Sequence, residues 1–307
     1  MEFNHKTVLL NEAVDVMNIR PDGIYVDGTV GGAGHSALIA GKLTTGRLIS
    51  IDKDPDAVEV ARERLAGFEC STVVESDFSQ FDMVLDSLGI GMVDGFILDL
   101  GVSSPQLDRA QRGFSYHNDA PLDMRMSQRG MSARDVVNTY DAAMLTRILR
   151  EYSDERFASR IAGAIVKARE TAPIETTLQL ADIVSNAVPA AARRDGHPAR
   201  RTFQAIRIAV NGELDCLGAF LDKALDRLNS GGVISIISFH SLEDRMVKRR
   251  FAEWCTGCTC PKDLPICVCG RTPRARLITR KATLPSDDQI ESNFRVRSAK
   301  LRAVEKL

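Results

Sequence analysis

The sequence has few of the features that mark a secreted or membrane protein. Its longest apolar stretch, Val233 to Phe239, is interrupted by serines and is far too short to span a bilayer. Residues 1–6 lack the charged-then-apolar pattern of a secretion signal. The seven cysteines are odd in number, and Cys70 and Cys216 stand alone, which favours a reduced protein over a disulfide-bonded one. We therefore expect a cytoplasmic protein without a membrane partner.

Charge of both signs is present but is unevenly distributed along the chain. Residues 1–100 carry 7 basic and 17 acidic side chains, whereas residues 271–307 carry 10 basic and 4 acidic ones. The composition, 44% hydrophobic and 26% charged, is that of a globular protein. An acidic part joined to a basic tail suits a polyanion that docks on one side of the molecule. Ordinary solvated surface charge is the alternative.

Strand and helix patterns alternate in the first hundred residues. Apolar runs predict four strands, at 23–27, 47–52, 71–74 and 95–99. A helix is predicted from His35 to Leu43, and Asp54 followed by Pro55 is a helix start signal. Strands separated by helix-length segments indicate βαβ units and a parallel sheet. The predicted fold class is therefore α/β.

The pattern changes between about 102 and 200, where no strong strand signal occurs. Helical segments there have one apolar and one basic face, the latter carrying Arg156, Arg160 and Lys167. We predict a methyltransferase-type sheet domain over 1–105 and 201–307, with a helical insertion over 106–200 and a basic carboxyl-terminal tail. Residues 190–200 are interpreted as a linker. We also predict one long helix over 203–228, which Gly231 and Gly232 end. A strand at 233–237 and two closing strands at 276–279 and 299–304 complete the prediction.

A glycine-rich loop, Asp27 to His35, follows the first predicted strand and precedes a helix. Glycines let the backbone approach a ligand, and a helix amino terminus offers N–H groups to it. Asp52 closes the second strand, where a carboxylate accepts both ribose hydroxyls of a nucleoside. Asp77 and Asp99 close the third and fourth strands. Helix capping is the alternative role for these acids.

Two cofactors are compatible with the loop. Residues 32–37 nearly match the dinucleotide fingerprint, with alanine in the third glycine position, so a nicotinamide enzyme is one reading. Against it, the Asp27 carboxylate would crowd a pyrophosphate but suits a cationic methionine group. The acids at Asp77 and Asp99 also suit a cofactor with one ribose, one adenine and one ammonium group. We therefore predict S-adenosylmethionine.

Six motifs, in this order along the chain, resemble the MraW/RsmH family of bacterial methyltransferases. They are HKTVLLNEAV at 5–14, the glycine loop through Ser36, DLGVSSPQLD at 99–108, PLDMRM at 121–126, RTFQAIR at 201–207 and SFHSLED at 238–244. The resemblance covers almost the whole chain. It implies a class I (Rossmann-like) methyltransferase sheet with an inserted helical substrate-binding domain. It also implies methylation of the N4 amine of a cytidine in 16S rRNA, in the P-site region of the small ribosomal subunit.

The resemblance further implies the cofactor contacts Ala33, Gly34, His35, Asp52, Phe78, Asp99 and Gln106. One departure is Phe294, where relatives often carry proline before Arg295; this affects only the local loop shape. Whether the chain is a monomer or a dimer stays open.

The chemistry requires a group that accepts hydrogen bonds from the amine, because the lone pair of the exocyclic nitrogen is delocalised into the ring. Asp99 to Gln106 occupies the place of the catalytic turn of other amino methyltransferases. Asp99 and the carbonyls of Ser103 to Pro105 are the candidate acceptors, unless this loop binds only cofactor. His240 follows the fifth strand and is a candidate for taking the released proton. Capping the next helix or orienting the RNA are its alternative roles.

Several basic residues are candidate contacts to RNA phosphates, although a solvated face is the alternative for each. They are Arg125, Arg201, Arg207, the basic face with Arg156, Arg160 and Lys167, and the tail residues Arg295 and Arg297. Five cysteines, at 255, 258, 260, 267 and 269, cluster near the carboxyl terminus. One reading is that they supply four thiolates to zinc. Their spacing is irregular, however, with only one CxxC pair, and CxC pairs are uncommon in structural zinc sites. The sequence alone therefore assigns no metal, and a reduced, cysteine-rich surface loop is the simpler interpretation.

Overall fold

The structure, a computed structural model, describes residues 7–190, 196–261 and 268–307. The chain divides into two compact units, one formed by Met1–Gly101 and Leu214–Leu307 and the other by Val102–Glu213. The second unit therefore begins before and ends after the predicted insertion at 106–200. No helix among the described residues is both long enough and apolar enough to span a bilayer.

A single sheet forms the centre of the first unit. Its seven strands among the described residues have the order β3-β2-β1-β4-β5-β7-β6, and their bounds are β1 Ile24–Asp27, β2 Arg47–Asp52, β3 Ser71–Glu75, β4 Val93–Asp99, β5 Leu228–Ser238, β6 Ala275–Leu277 and β7 Lys300–Lys306. Strands β1 to β5 are parallel, and β7 runs antiparallel to both of its neighbours. This arrangement confirms the predicted α/β class and Rossmann-like sheet.

Thirteen α-helices are found among the described residues. They are α1 Leu10–Asp15, α2 Gly34–Ala40, α3 Pro55–Leu65, α4 Phe81–Ser87, α5 Ser104–Asp108, α6 Ala133–Thr139, α7 Ala142–Ser153, α8 Ala158–Arg169, α9 Thr177–Ala187, α10 Ala199–Asn211, α11 Glu213–Ala224, α12 Ser241–Cys255 and α13 Asp287–Ser292. The start signal at Asp54 is confirmed, since its carboxylate accepts the Asp56 N–H at 3.1 Å.

The sheet of the first unit is covered by apolar clusters that include aromatic rings. Phe81, Phe96 and Phe220 meet edge to face, with ring centroids 4.9 to 5.4 Å apart. A separate cluster contains Leu9 and Tyr25, both almost fully buried. Helices and loops cover the strands, so that β4 is buried over six of its seven residues and β5 is buried from Val233 to Ser238, as is typical of a parallel sheet.

The second unit is helical and has a core of its own. Strands are absent from its described residues, apart from an isolated bridge between Pro121 and Thr176. Side chains from several helices form the core, among them Val136, Leu149, Ile161, Leu180 and Ile206. The predicted helical character of this segment is therefore confirmed, and Arg156, Arg160 and Lys167 lie exposed on its surface.

The prediction of one long helix over 203–228 is wrong. Helix α10 ends at Gly212, which has a φ of 59°, and α11 begins at the next residue. Apolar residues keep a helical spacing across this break, so the periodicity does not reveal it; a left-handed glycine terminates a helix locally. Gly231 and Gly232, predicted to end that helix, lie inside β5. Of the predicted linker, residues 191–195 lie outside the described residues, and Ala199 begins α10.

Candidate functional site

The glycine loop between β1 and α2 has a fixed backbone with one open side. Ala33, the residue before α2, is fully buried and left-handed, with a φ of 60°. A Cβ atom at Gly34 would overlap the side chain of Thr7, so only glycine fits there. At Gly31 and Gly32, by contrast, the nearest described heavy atoms to such a Cβ are 3.9 Å away. This side of the loop leaves space for a ligand to approach the backbone.

Asp27, at the end of β1, holds the loop from within. Its carboxylate accepts hydrogen bonds from the Ser36 hydroxyl at 2.7 Å and the Thr29 N–H at 3.1 Å, and Ser36 also bonds Ser50 at 2.8 Å. Burial raises the pKa of Asp27 to about 6. Asp27 therefore supports the loop through its hydrogen bonds, and desolvation disfavours its ionised form.

Asp52, at the end of β2, ties the neighbouring strand to the same loop. One carboxylate oxygen accepts the Gly31 N–H and the other the Asp54 N–H, both at 2.9 Å. Burial raises its pKa to about 6, against the effect of these hydrogen bonds. Each oxygen retains a second lone pair, so the carboxylate is able to accept ribose hydroxyls as the resemblance implies.

Asp99, at the end of β4, is the most perturbed carboxyl group of the site. Its backbone N–H donates to the Thr29 hydroxyl at 2.6 Å. The side-chain oxygen Oδ1 is buried and has no hydrogen-bond partner among the described residues. Burial, followed by the charges of Asp27 and Glu243, raises the pKa of Asp99 well above its usual range. Such a group, desolvated and unpartnered, indicates a site for a donor or cation.

His35 lies beside Asp99 but does not neutralise it. Its Nδ1 is 4.0 Å from the Asp99 carboxylate, and its Nε2 is 3.2 Å from the Val8 carbonyl. Burial lowers the pKa of His35 to about 4, so the ring is neutral at pH 7. The proton then resides on Nε2, which donates to the carbonyl. His35 therefore joins the loop to residue 8 and leaves the charge of Asp99 uncompensated.

Asp77 and Phe78 follow β3. The Asp77 carboxylate caps the short 3-10 helix Phe78–Gln80, accepting the Ser79 N–H at 2.9 Å, and pairs with Lys53 at 3.2 Å. Burial acts to raise its pKa, but Lys53 and the Ser79 N–H outweigh this and the pKa lies below the usual value. Asp77 is thus a helix cap, which is the alternative that the sequence left open. Phe78 borders the loop, because a Cβ atom added at Gly28 would lie 3.0 Å from the Cβ atom of Phe78.

These residues fit S-adenosylmethionine. Parallel strands bring the carboxyl ends of β1, β2 and β4 to one edge of the sheet, where Asp27, Asp52 and Asp99 lie. The edge offers a glycine loop with an open side, acceptors, an aromatic ring and an unpartnered buried oxygen. A nucleoside that carries a cation matches this set, whereas a pyrophosphate would face three carboxylates.

Ser103 and Gln106 lie in the second unit, at the start of α5. Ser103 Oγ accepts the Gln106 N–H at 3.4 Å, and Gln106 Oε1 accepts the Ser103 N–H at 3.0 Å. This reciprocal pair is a capping box. The Ser103 hydroxyl is therefore used in the fold, and the carbonyls of Ser103 and Pro105 accept the N–H groups of Leu107 and Arg109 at 3.3 and 3.0 Å. That these carbonyls also accept the substrate amine stays a prediction. The cofactor contact of Gln106 also stays a prediction.

His240 is the cap of α12. Its Nδ1 accepts the Glu243 N–H at 3.4 Å, and Glu243 Oε2 accepts the N–H of Phe239 at 2.8 Å. Buried Nε2 is 3.1 Å from Glu243 Oε1 without an acceptable hydrogen-bond geometry. The structure thus shows a capping role for His240, and its catalytic role stays a prediction. Sequence reasoning missed Glu243, which is 2% exposed; a residue three positions after a cap is the signal for it.

The three arginines predicted to contact RNA differ in their surroundings. Arg207 donates two hydrogen bonds of 2.7 Å to Glu213, and its side chain is only 16% exposed. This leaves little of its guanidinium accessible, and its phosphate contact stays an untested prediction. Arg125 donates hydrogen bonds to both carboxylate oxygens of Asp123 and one of 3.1 Å to the Gly130 carbonyl. Arg201 is exposed and donates to the Asp154 carbonyl at 3.3 Å. Of the three, Arg201 is the most accessible to a phosphate.

Comparisons with known proteins show which family the chain resembles. A family model described as the MraW methylase family matches residues 2–307. A protein of Lachnospira eligens named ribosomal RNA small subunit methyltransferase H is 54% identical, covering 100% of this chain and 99% of its own. A protein of the same name from Brevibacillus brevis is 53% identical over the same shares. A crystal structure of an rRNA methylase from Streptococcus thermophilus aligns at 12% identity over 98% of each chain, with a TM-score of 0.44, too remote to carry an argument.

Proposed function

The chain belongs to the MraW methylase family, and on that premise we propose that it methylates the RNA of the small ribosomal subunit. S-adenosylmethionine is the methyl donor. The acceptor of this proposal is the N4 amine of one cytidine in 16S rRNA, in the P-site region. The names of the relatives support the substrate class. The observation that carries the proposal is Asp99, whose buried Oδ1 has no partner among the described residues.

Asp99 suits the reaction because of where charge moves. The cofactor, when bound, supplies an electrophilic methyl group on a cationic sulfur. The amine gains positive charge as it attacks, and a carboxylate that accepts its N–H stabilises that charge. The raised pKa of Asp99 also makes it a competent acceptor for the proton that the methylated amine releases. We assign these two roles to Asp99.

His240 has a lesser place in this proposal. Its Nδ1 already accepts a backbone N–H at the start of α12, and its partner Glu243 is one of the charges that raise the pKa of Asp99. We therefore assign His240 and Glu243 the positioning of the turn after β5, beside the carboxyl ends of the strands. This assignment leaves Asp99 as the proton acceptor.

The RNA side of the proposal rests on exposed cations of the second unit. A cytidine within folded RNA must be splayed out to reach a pocket, and phosphate contacts are needed to hold the flanking backbone. Arg156, Arg160 and Lys167 are exposed, and Arg201 adds a fourth cation. We assign phosphate binding to this set, together with the exposed tail residue Arg295.

The test is incubation of the full chain with tritiated S-adenosylmethionine and small subunits from cells that lack the homologous enzyme. The expected product is labelled N4-methylcytidine in digested 16S rRNA, identified by chromatography and mass spectrometry. Label in another nucleoside overturns the acceptor assignment. Intact cofactor binding with no label in rRNA overturns the enzyme proposal in favour of a binding protein. If a nicotinamide cofactor binds and S-adenosylmethionine does not, the cofactor assignment is overturned.

A second arm of the same experiment compares assembled subunits with protein-free 16S rRNA. We assign the assembled small subunit as the substrate, because the proposed P-site target is formed by folded RNA. Labelling of assembled subunits at least about tenfold faster than naked rRNA is expected, a difference of about 1.4 kcal/mol in transition-state free energy. Equal or faster labelling of naked rRNA contradicts this assignment.

A further inference from the structure

Three cysteines that are separated in the sequence meet in the segment between α12 and β6. The sulfur atoms of Cys258, Cys260 and Cys269 all lie within 4.8 Å of one another. The sulfurs of Cys258 and Cys269 are 3.7 Å apart, far beyond the length of about 2.05 Å of a disulfide bond. The convergence therefore does not arise from a Cys258–Cys269 disulfide, and another reason for it is needed.

The spacing matches the ligand shell of one tetrahedral metal ion. Zinc–sulfur bonds of about 2.3 Å at tetrahedral angles place two ligand sulfurs about 3.8 Å apart. The 3.7 Å between Cys258 and Cys269 agrees with this value, and the other pairs lie within 4.8 Å. Thiolates are soft ligands, which select zinc, copper(I) or iron over magnesium or calcium. A tetrahedral all-sulfur set is characteristic of a structural zinc site.

The surrounding segment has little else to hold it in place. Among the described residues between Cys255 and Ala275, the structure has neither a helix nor a strand. Nor is any of these described residues buried, and the apolar Val268 is 79% exposed. Loops of this length without secondary structure are uncommon in compact domains. A segment without a core commonly depends on a cross-link or a metal for its conformation.

The backbone around Cys260 directs hydrogen-bond donors at its sulfur. The N–H groups of Val268 and Cys269 hydrogen-bond the Cys260 sulfur. N–H groups that point at ligand sulfurs are the outer-shell contacts that orient and tune metal-bound thiolates. Gly270 follows Cys269 with a φ of 61°, a left-handed turn that favours glycine.

We propose that Cys258, Cys260 and Cys269 bind a structural zinc ion that holds the segment between α12 and β6. Zinc takes four ligands in such sites. The half-buried Cys255 thiol, at the end of α12, does not belong to the three-sulfur cluster. Cys267 lies outside the described residues. The site is independent of the methyl transfer, so it stands or falls without the proposed function.

The primary test is the metal content of the full-length wild-type chain, purified without a polyhistidine tag from zinc-supplemented cells. About one equivalent of zinc is expected by mass spectrometry after gel filtration. Replacing zinc with cobalt(II) should give the intense charge-transfer bands of cobalt thiolate and ligand-field bands of a tetrahedral ion. Modification of the thiols with a mercurial should release the zinc.

Matched variants locate the site. Cys258→Ser and Cys269→Ser should each lower the zinc content at least about tenfold, while Cys70→Ser and Cys216→Ser, which alter cysteines outside the segment, should keep it. Circular dichroism and binding of S-adenosylmethionine verify that each variant is folded. If the variants do not fold, the cobalt spectrum and mercurial release of the wild type still decide the question.

Four outcomes overturn the proposal. The first is folded wild-type protein with less than about a tenth of an equivalent of zinc after reconstitution under reducing conditions, and the second is stoichiometric iron in place of zinc. The third is full zinc content in both Cys258→Ser and Cys269→Ser. The fourth is a Cys258–Cys269 disulfide in protein purified anaerobically.

Discussion

At the residue scale, the decisive property of the site is the burial and raised pKa of the Asp99 carboxyl group, more than the presence of an acid at this position. The sequence predicts an acid at this strand end, and the resemblance assigns it a cofactor contact. That its Oδ1 is buried and unpartnered depends on how β4 lies between β1 and β5, and on Glu243 from a distant part of the chain. A pattern read one segment at a time carries no information about such convergence, so the sequence does not reveal that Glu243 lies close enough to Asp99 to raise its pKa.

The raised pKa values predict a pH-dependent affinity for the cofactor. Burial raises the pKa values of Asp27 and Asp52 to about 6 and raises that of Asp99 well above its usual range. A cationic ligand binds their ionised forms, so affinity for S-adenosylmethionine should increase as pH rises from 5.5 to 8. The gain is at most about tenfold per pH unit for each carboxyl group that must lose a proton.

S-adenosylhomocysteine provides the matched control, since it lacks the sulfonium charge. Calorimetry across this pH range should give a shallower dependence for S-adenosylhomocysteine than for S-adenosylmethionine. Asp99→Asn should reduce the difference between the two ligands. Identical slopes for both ligands in the wild type would show that none of the three carboxylates responds to the sulfonium.

Asp99→Asn is also expected to change the stability of the cofactor-free protein. The pKa of Asp99 is higher in the folded than in the unfolded state, so its stabilising contribution is present below the unfolded pKa and is lost as pH rises through the folded pKa. The wild type should therefore lose stability between pH 5 and pH 8 relative to the variant, as measured by urea unfolding. Methylation by the variant should fall about 100-fold or more.

Asp22→Asn is the control for this prediction, because Asp22 is an exposed aspartate. Its unfolding free energy should follow that of the wild type at both pH values, and its methylation rate should be unchanged. A wild type and an Asp99→Asn variant whose stabilities change in parallel from pH 5 to pH 8 would argue against a buried, protonated Asp99.

At the element scale, strand ends and helix starts were more predictable than helix continuity. The strands close to the cofactor loop, and the cap at Asp54, follow from local signals that the sequence contains. The break at Gly212 was missed, because the apolar periodicity of α10 and α11 is continuous while a single left-handed residue divides them. The two glycines inside β5 were misassigned for a related reason, since glycine marks a helix end more often than a strand interior.

The cap of α12 permits a direct separation of structural and catalytic roles for His240. Asparagine is among the best helix caps, whereas alanine is among the poorest, at a cost of about 1 kcal/mol. His240→Asn should therefore keep the unfolding free energy of the wild type and a turnover within about threefold of it. His240→Ala should lose about 1 kcal/mol of unfolding free energy. Urea unfolding and single-turnover methylation measure the two properties.

A catalytic histidine would give a different result. Both variants would then lose turnover by about 100-fold or more, and His240→Asn would do so without losing stability. The pH profile of the single-turnover rate separates the two cases further. If His240 only positions the turn, the variants should show the same pH profile as the wild type.

At the scale of the whole molecule, the chain combines an acidic amino-terminal part with cations concentrated elsewhere. The sequence shows this asymmetry, but it does not show which cations are accessible. The structure divides them: Arg207 is paired in the interior of the second unit, whereas Arg156 and Arg160 are exposed. Charge counts therefore predicted a polyanion partner, while the assignment of particular phosphate contacts needed the fold.

Removing the charges of Arg156 and Arg160 should weaken RNA binding without affecting the cofactor. Each phosphate contact contributes about −0.7 to −0.9 to the slope of log affinity against log salt concentration. The double variant Arg156→Gln/Arg160→Gln should therefore reduce that slope by about 1 to 2 for small subunits or 16S rRNA, as measured by filter binding. The double variant Lys42→Gln/Arg62→Gln removes two exposed charges from the acidic part and should leave the slope unchanged. Equal effects of the two variants would mean that net charge alone, rather than a docking face on the second unit, governs RNA binding.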